Sequence, residues 1–128
     1  LAERRAKASP LKDVAGMLRS FSYAASSALM AYTARRPEDF SSLEPWATLW
    51  ERAAAAEFLC AYRAAAAAQG ATSLTQSEGG FLPPHTDDFR RLLEAFLLDK
   101  ALYELEYELN NRPAWVRIPL AGILSASS

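Results

Sequence analysis

Three glutamates at alternate positions (Glu104, Glu106 and Glu108), a lone histidine (His85) and a lone cysteine (Cys60) are the first candidates for chemistry in this 128-residue sequence. Paired carboxylates can divide acid and base roles between them. On a helix, however, alternate spacing spreads three carboxylates around the axis, with Glu104 and Glu108 one turn apart on one side and Glu106 on another. Salt-bridged or solvated roles are therefore expected for them. His85 stands between Pro83-Pro84 and Thr86, and a histidine works as acid or base only beside a positioned partner, so a loop or capping role is expected. Cys60, next to Phe58 and Leu59, reads as a small buried apolar residue. One cysteine and one histidine cannot build a structural zinc site or a disulfide framework, which points to a reducing compartment. No glycine-rich phosphate loop, H-E-x-x-H or G-x-S-x-G pattern occurs, and Gly79-Gly80 is too short to count. The chain is expected to hold no catalytic residue and no metal ligand of its own.

The elements that must position these side chains read as helices. Ser9-Pro10 is a start signal, because serine caps free amides and proline at the first helical position loses no hydrogen bond. Leu11, Val14, Leu18, Phe21, Ala25, Leu29 and Tyr32 then follow at spacings of three and four, one face of a long helix. That helix should stop before Arg36-Pro37, leaving residues 37–44 as a loop anchored by Phe40 or Leu43. A second helix is expected from Glu44-Pro45 to a cap at Gly70, with Trp46, Leu49, Trp50, Ala53, Glu57 and Cys60 on one side and Phe58, Leu59 and Tyr62 on another. Residues 71–80 read as a surface loop. A third helix, capped by Thr86 with Asp87 and Asp88 in its positive first turn, should run to Asn111 and stop at Arg112-Pro113. Its Leu92, Phe96, Tyr103, Tyr107 and Asn110 fall on one side and Leu98, Leu102, Leu105 and Leu109 nearly opposite. Two apolar faces predict a helix packed on both sides, at the centre of the assembly. The tail from Trp115 to Leu124 reads as an extended segment followed by a short helix begun by Pro119. No strand alternation, internal repeat or sustained heptad with charged flanks is visible, so the fold class is all-α: three long helices and a short C-terminal one.

Composition bounds the function. The length suits one domain with one core. A formal charge of -1 carries no nucleic-acid footprint, and 51% hydrophobic residues argue for a folded chain. Alanine makes up about a fifth of the sequence, which favours helices that approach closely. The charged N-terminus has no apolar core of a secretory signal. Glu57 and Arg63, and later Asp99 and Lys100, interrupt the apolar stretches before they reach transmembrane length. A cytoplasmic helical piece of a longer protein is the expectation.

Two runs carry a family resemblance. Residues 1–25, LAERRAKASPLKDVAGMLRSFSYAA, resemble the start of the C-terminal helical subdomain of bacterial maltokinases, including those fused behind trehalose synthase. Residues 95–120, AFLLDKALYELEYELNNRPAWVRIPL, resemble the end of the same proteins. Together they span nearly the whole chain, with residues 35–84 the less specific part. The family looks like the aminoglycoside-phosphotransferase branch of the kinase fold. It transfers the γ-phosphoryl group of ATP to the anomeric hydroxyl of maltose, giving maltose 1-phosphate.

The resemblance implies that residues 1–128 are a single helical fragment of a kinase-like C-lobe, bacterial and cytoplasmic. By that comparison the N-lobe, the catalytic loop and the segment that would hold magnesium would all precede Leu1. ATP and Mg are implied for the intact enzyme and no cofactor for the fragment, which would be inactive alone because positioning of ATP and metal is nearly all of that chemistry. The same resemblance makes Tyr103, Tyr107, Asn110, Asn111 and Arg112 the acceptor sugar-binding residues, the tyrosines offering ring faces and the others hydrogen bonds to hydroxyls. It also makes Asp13 and Arg19 supports of the catalytic loop. From local pattern alone, Tyr103 and Tyr107 read as core residues, Asn110-Asn111-Arg112 as a helix end, Asp13 as a first-turn acid and Arg19 as an exposed helix arginine. Trp46 and Trp50 share a face that could stack on sugar, but at helical spacing they read as core. The expected partners are maltose and the missing N-terminal kinase portion. An apolar patch bared by that absence would favour self-association, and no nucleic acid or membrane is expected to bind. Two other readings stay open: the acceptor subdomain of another small-molecule kinase, and a free-standing interaction or dimerisation module that uses the Trp46/Trp50 face.

Overall fold

The computed structural model describes residues 10–72 and 86–127. Among them the fold is all-α: α1 (Pro10–Thr33), α2 (Phe40–Thr72), α3 (Thr86–Asn111) and α4 (Arg117–Ser127), with short 3-10 turns at Pro37–Asp39 and Pro113–Trp115. The cap assigned to Ser9, the loop over residues 73–80, His85 and the side chain of Thr86 lie outside the described residues.

Both Arg-Pro stops end a helix as expected. Arg36 and Arg112, each pushed out of the helical region by the proline that follows, take φ/ψ of -138/69 and -140/73. In each case the proline's fixed φ opens a three-residue 3-10 turn that runs into the next helix. This corrects two expectations. Residues 37–44 are not a loop, since α2 begins at Phe40 and contains Pro45. The missing amide of Pro45 falls among exposed residues near the start of the helix, where water can take the freed carbonyl. The segment after Trp115 is not extended either: α4 starts at Arg117, two residues ahead of Pro119. At the far end of α2, helix continues through Gly70 to Thr72.

The centre of the assembly is α1, not α3. α1 packs against α2, α3 and α4, and α3 packs also on α4. Leu11, Val14, Ala15 and Leu18 of α1 form the core with Phe89 and Leu93 of α3, and half-buried Phe58, Leu59 and Tyr62 of α2 lie against it. The expected stripe of α1 is thus the core stripe, although its last member, Tyr32, is exposed. On α2 the Phe58 side faces inward, so Trp46, Leu49 and Trp50 are exposed and Cys60 is exposed rather than buried. Among the described residues no helix is long and apolar enough to cross a membrane.

α3 departs furthest from expectation. Its buried residues are Phe89, Leu93, Ala101, Glu104 and Glu108, so the gap between its two apolar faces is what turns inward. Leu98, Leu102 and Leu109 on one side, and Leu92, Tyr103 and Tyr107 on the other, are exposed. A helix packed on both sides is not found among the described residues.

Candidate functional site

Glu104 and Glu108, one turn apart on the inward side of α3, organise two polar clusters. Glu104 accepts a 2.7 Å hydrogen bond from Arg19 Nε, with both side chains buried. Arg19, on α1, also donates from Nη1 to Ser22 Oγ at 3.3 Å and from Nη2 to the Ile118 carbonyl of α4 at 3.4 Å. Ser22 Oγ in turn donates to Glu51 of α2. One buried guanidinium therefore joins α1, α3 and α4, and Ser22 carries the network on to α2. The surface reading of Arg19 is overturned. Taking a charge out of water is costly unless it is paired and hydrogen-bonded, and here every arm of the guanidinium has an oxygen partner. Gly122 of α4 makes room for it: a Cβ there would sit 2.5 Å from Arg19 Nη1.

Arg19, Ser22 and Glu51 face a cleft of about 620 Å3 between the helices, which Arg52 and Glu94 also line. Of the site residues expected from sequence, Arg19 alone lines it. Asp13, in the first turn of α1, is exposed and makes no ion pair with any described residue. Its charge, added to the larger effect of burial, raises the pKa of Tyr62. Asp87 stands two residues after His85, but it is exposed in the first turn of α3 and pairs with Arg90 at 3.7 Å.

The second cluster brings the sugar-binding candidates together at the C-terminal end of α3. Glu108 is 0% exposed and accepts two hydrogen bonds from Arg112, Nη2 to Oε1 at 2.7 Å and Nε to Oε2 at 3.1 Å. This two-point grip fixes the plane of the guanidinium and leaves Nη1 free of the carboxylate. The Arg112 guanidinium carbon lies 4.1 Å from the Trp115 ring centre and 5.7 Å from that of Tyr107. Beyond Trp115, the Tyr23 ring lies 6.2 Å away, tilted by 30°. Burial, and then the negative charges of Glu104 and Glu108, push the Tyr23 hydroxyl up to about 12. The Glu108 hydrogen bonds raise the Arg112 pKa as well.

Tyr103 and Tyr107 are 62% and 47% exposed, so neither is a core residue. Lys100 Nζ lies 5.2 Å from the Tyr103 ring centre. Asn110 and Asn111 turn their amides back onto the helix, donating to the Glu106 and Tyr107 carbonyls at 3.0 and 2.8 Å. They help to finish the helix while staying exposed. The five residues thus form an open surface: two tyrosine rings, an oriented guanidinium whose Nη1 makes no hydrogen bond with a described residue, and two amides. Such a surface can stack on the apolar face of a sugar and donate to its hydroxyls.

The salt-bridged role expected of Glu104 and Glu108 holds, with partners and burial that spacing does not give, whereas Ser22 and Gly122 carry no role in the sequence reading. Ser22 interrupts the apolar stripe between Leu18 and Ala25, and a hydroxyl at a core-facing position needs a buried partner. That signal was available. Nothing local announced that the partner would be Arg19. No protein-family model and no solved structure matches the chain.

Proposed function

We propose that this chain is the acceptor-side helical part of a maltokinase-like phosphotransferase, one of the type fused to trehalose synthase included, which makes maltose 1-phosphate from maltose and ATP. The observation that supports it most is the grip of buried Glu108 on Arg112, which holds the guanidinium over Trp115 beside the open rings of Tyr103 and Tyr107. A planar apolar surface with a few donors fixed in advance suits a disaccharide, because little ordering is left to be done when the sugar arrives. In this reading the tyrosines stack on the sugar, Arg112 donates from Nη1, and Asn110 and Asn111 contribute amide oxygens. The buried Arg19 network keeps α1, α3 and α4 in register beneath the site. ATP and its metal ion are held by the part of the enzyme that precedes these residues.

In the enzyme that carries this chain, Tyr103→Ala with Tyr107→Ala is expected to raise the KM for maltose about tenfold, the cost of losing two stacking contacts, with the KM for ATP unchanged. An unchanged maltose KM removes both tyrosines from the site. Coding sequence upstream of Leu1 that lacks a nucleotide-binding lobe sinks the reading altogether. A second reading, a helical interaction module, is favoured by the exposure of Trp46, Leu49 and Trp50 together on one stretch of α2.

A further inference from the structure

We propose that the outward face of α3 is a docking ridge for an amphipathic helix whose apolar stripe is flanked by lysine or arginine. Leu98, Leu102, Leu105 and Leu109 are spaced four, three and four apart, the repeat of a helix-helix seam. Three of them are 38%, 50% and 58% exposed, in chain order Leu98, Leu102 and Leu109. A run of leucines this open on a folded domain marks an interaction surface, and a narrow ridge at this spacing fits the stripe of a single helix.

Charge decides the occupant. At 100° per residue, Asp99 and Glu106 run along one border of the ridge and Glu94 lies on the other. None of the three makes an ion pair with a described residue. Of the cations near this face, Arg91 lies toward its N-terminal end and Arg112 is held by Glu108. A second copy docked in antiparallel fashion would set Asp99 and Glu106 against their own counterparts, and like charges placed together weigh against that pairing. A helix with cations at its flanking positions meets the same carboxylates favourably. The ridge is distinct from the Tyr103/Tyr107 side of α3 and does not depend on that side binding sugar.

The test is a fluorescence-anisotropy titration of the 128-residue chain with two labelled synthetic peptides. Both carry leucine at the seam positions of three heptads, one with lysine at the flanks and the other with glutamate. The lysine peptide is expected to bind at least about tenfold more tightly than the glutamate peptide, and the preference should shrink as salt rises. Leu102→Glu should weaken lysine-peptide binding about tenfold or more by placing a charge in the apolar seam, whereas Trp46→Glu on the other exposed patch should leave it unchanged. Asp99→Lys with Glu106→Lys should reverse the peptide preference. Leu109→Glu serves in place of Leu102→Glu if the latter loses its helical circular dichroism. Equal binding by the Leu102→Glu chain, or no binding of the lysine peptide, overturns the proposal. So does a concentration-dependent dimer that Leu102→Glu dissolves, which would make a second copy the occupant. Binding to phosphatidylcholine vesicles that depends on Leu102 would make it lipid, and overturns the proposal equally.

Discussion

Two corners of the molecule, Arg36-Pro37 and Arg112-Pro113, have nearly the same backbone and quite different consequences. Both arginines adopt the same non-helical conformation, and both prolines open a 3-10 turn that leads into a helix. At the first corner Arg36 pairs with Asp39 at 3.8 Å, the arginine largely in water and the aspartate half-buried. At the second, Arg112 is gripped by a carboxylate with no exposure at all and laid over an indole. The Arg-Pro dipeptide therefore dictates the turn, because the clash with the proline ring is local. Whether the arginine becomes a fixed recognition element depends on the burial of its acid partner. Arg19 with Glu104 extends the series, for there both members are buried.

If burial of the partners grades these pairs, breaking the deepest should cost most. Arg19→Met leaves Glu104 without its counter-ion inside the helix packing, and a loss of about 3–5 kcal/mol is expected in chemical denaturation. A loss no greater than that of a surface pair would break the comparison. For the corners, Glu108→Ala should cost about 1.5–3 kcal/mol, the range for a hydrogen bond to a charged group. Asp39→Ala at the exposed corner should change stability by less than about 0.5 kcal/mol. Equal losses would mean that the turn itself, not the partner's burial, sets the energy.

Two smaller effects sharpen the series. Gly→Ala inside a helix normally stabilises by up to about 1 kcal/mol, but at Gly122 the new Cβ meets a guanidinium pinned by Glu104. A net loss of about 1 kcal/mol is expected. In the Arg19→Met background the same change should become neutral or stabilising, and additivity of the two changes would show that they do not touch. The last effect concerns pH. The Tyr23 hydroxyl ionises near 12 in the folded chain against an ordinary 10.0. The folded state therefore keeps a proton that the unfolded state gives up. The resulting stability is fully present below pH 10 and is lost as pH rises through about 12. Tyr23→Phe should remove a tyrosinate absorbance step near pH 12 and flatten that alkaline decline in the melting temperature. A titration curve identical to that of the parent would show that Tyr23 is not shielded by burial and the two carboxylates.

Much of the fold is legible because helix signals are local. The α1 stripe from Leu11 to Ala25, the stops at both Arg-Pro pairs and the span of α3 all follow from spacing and backbone sterics. The start of α2 is misread because Pro45 looks like a first-turn proline, while the turn opened by Pro37 has already begun the helix. The inner face of α3 is misread for a different reason. Hydrophobicity alone assigns its two leucine- and tyrosine-bearing sides to the interior, yet the side that turns inward carries Glu104 and Glu108. Their burial becomes tolerable only when Arg19 arrives from α1, 85 residues away, and Arg112 from the following turn.

By itself, then, the sequence determines an all-helical chain with two arginine-proline corners and gathers Tyr103, Tyr107, Asn110, Asn111 and Arg112 at one helix end. These outcomes depend on residues within a few positions of one another, where backbone sterics and helical period act directly. Only the tertiary structure decides that α1 is the hub, that the rings of Tyr103 and Tyr107 stand open, and that the leucine ridge of α3 faces outward. Those outcomes depend on which face of α3 meets α1, where Phe89 and Leu93 join the core and Glu104 finds Arg19, contacts between residues far apart in the chain that no local pattern encodes.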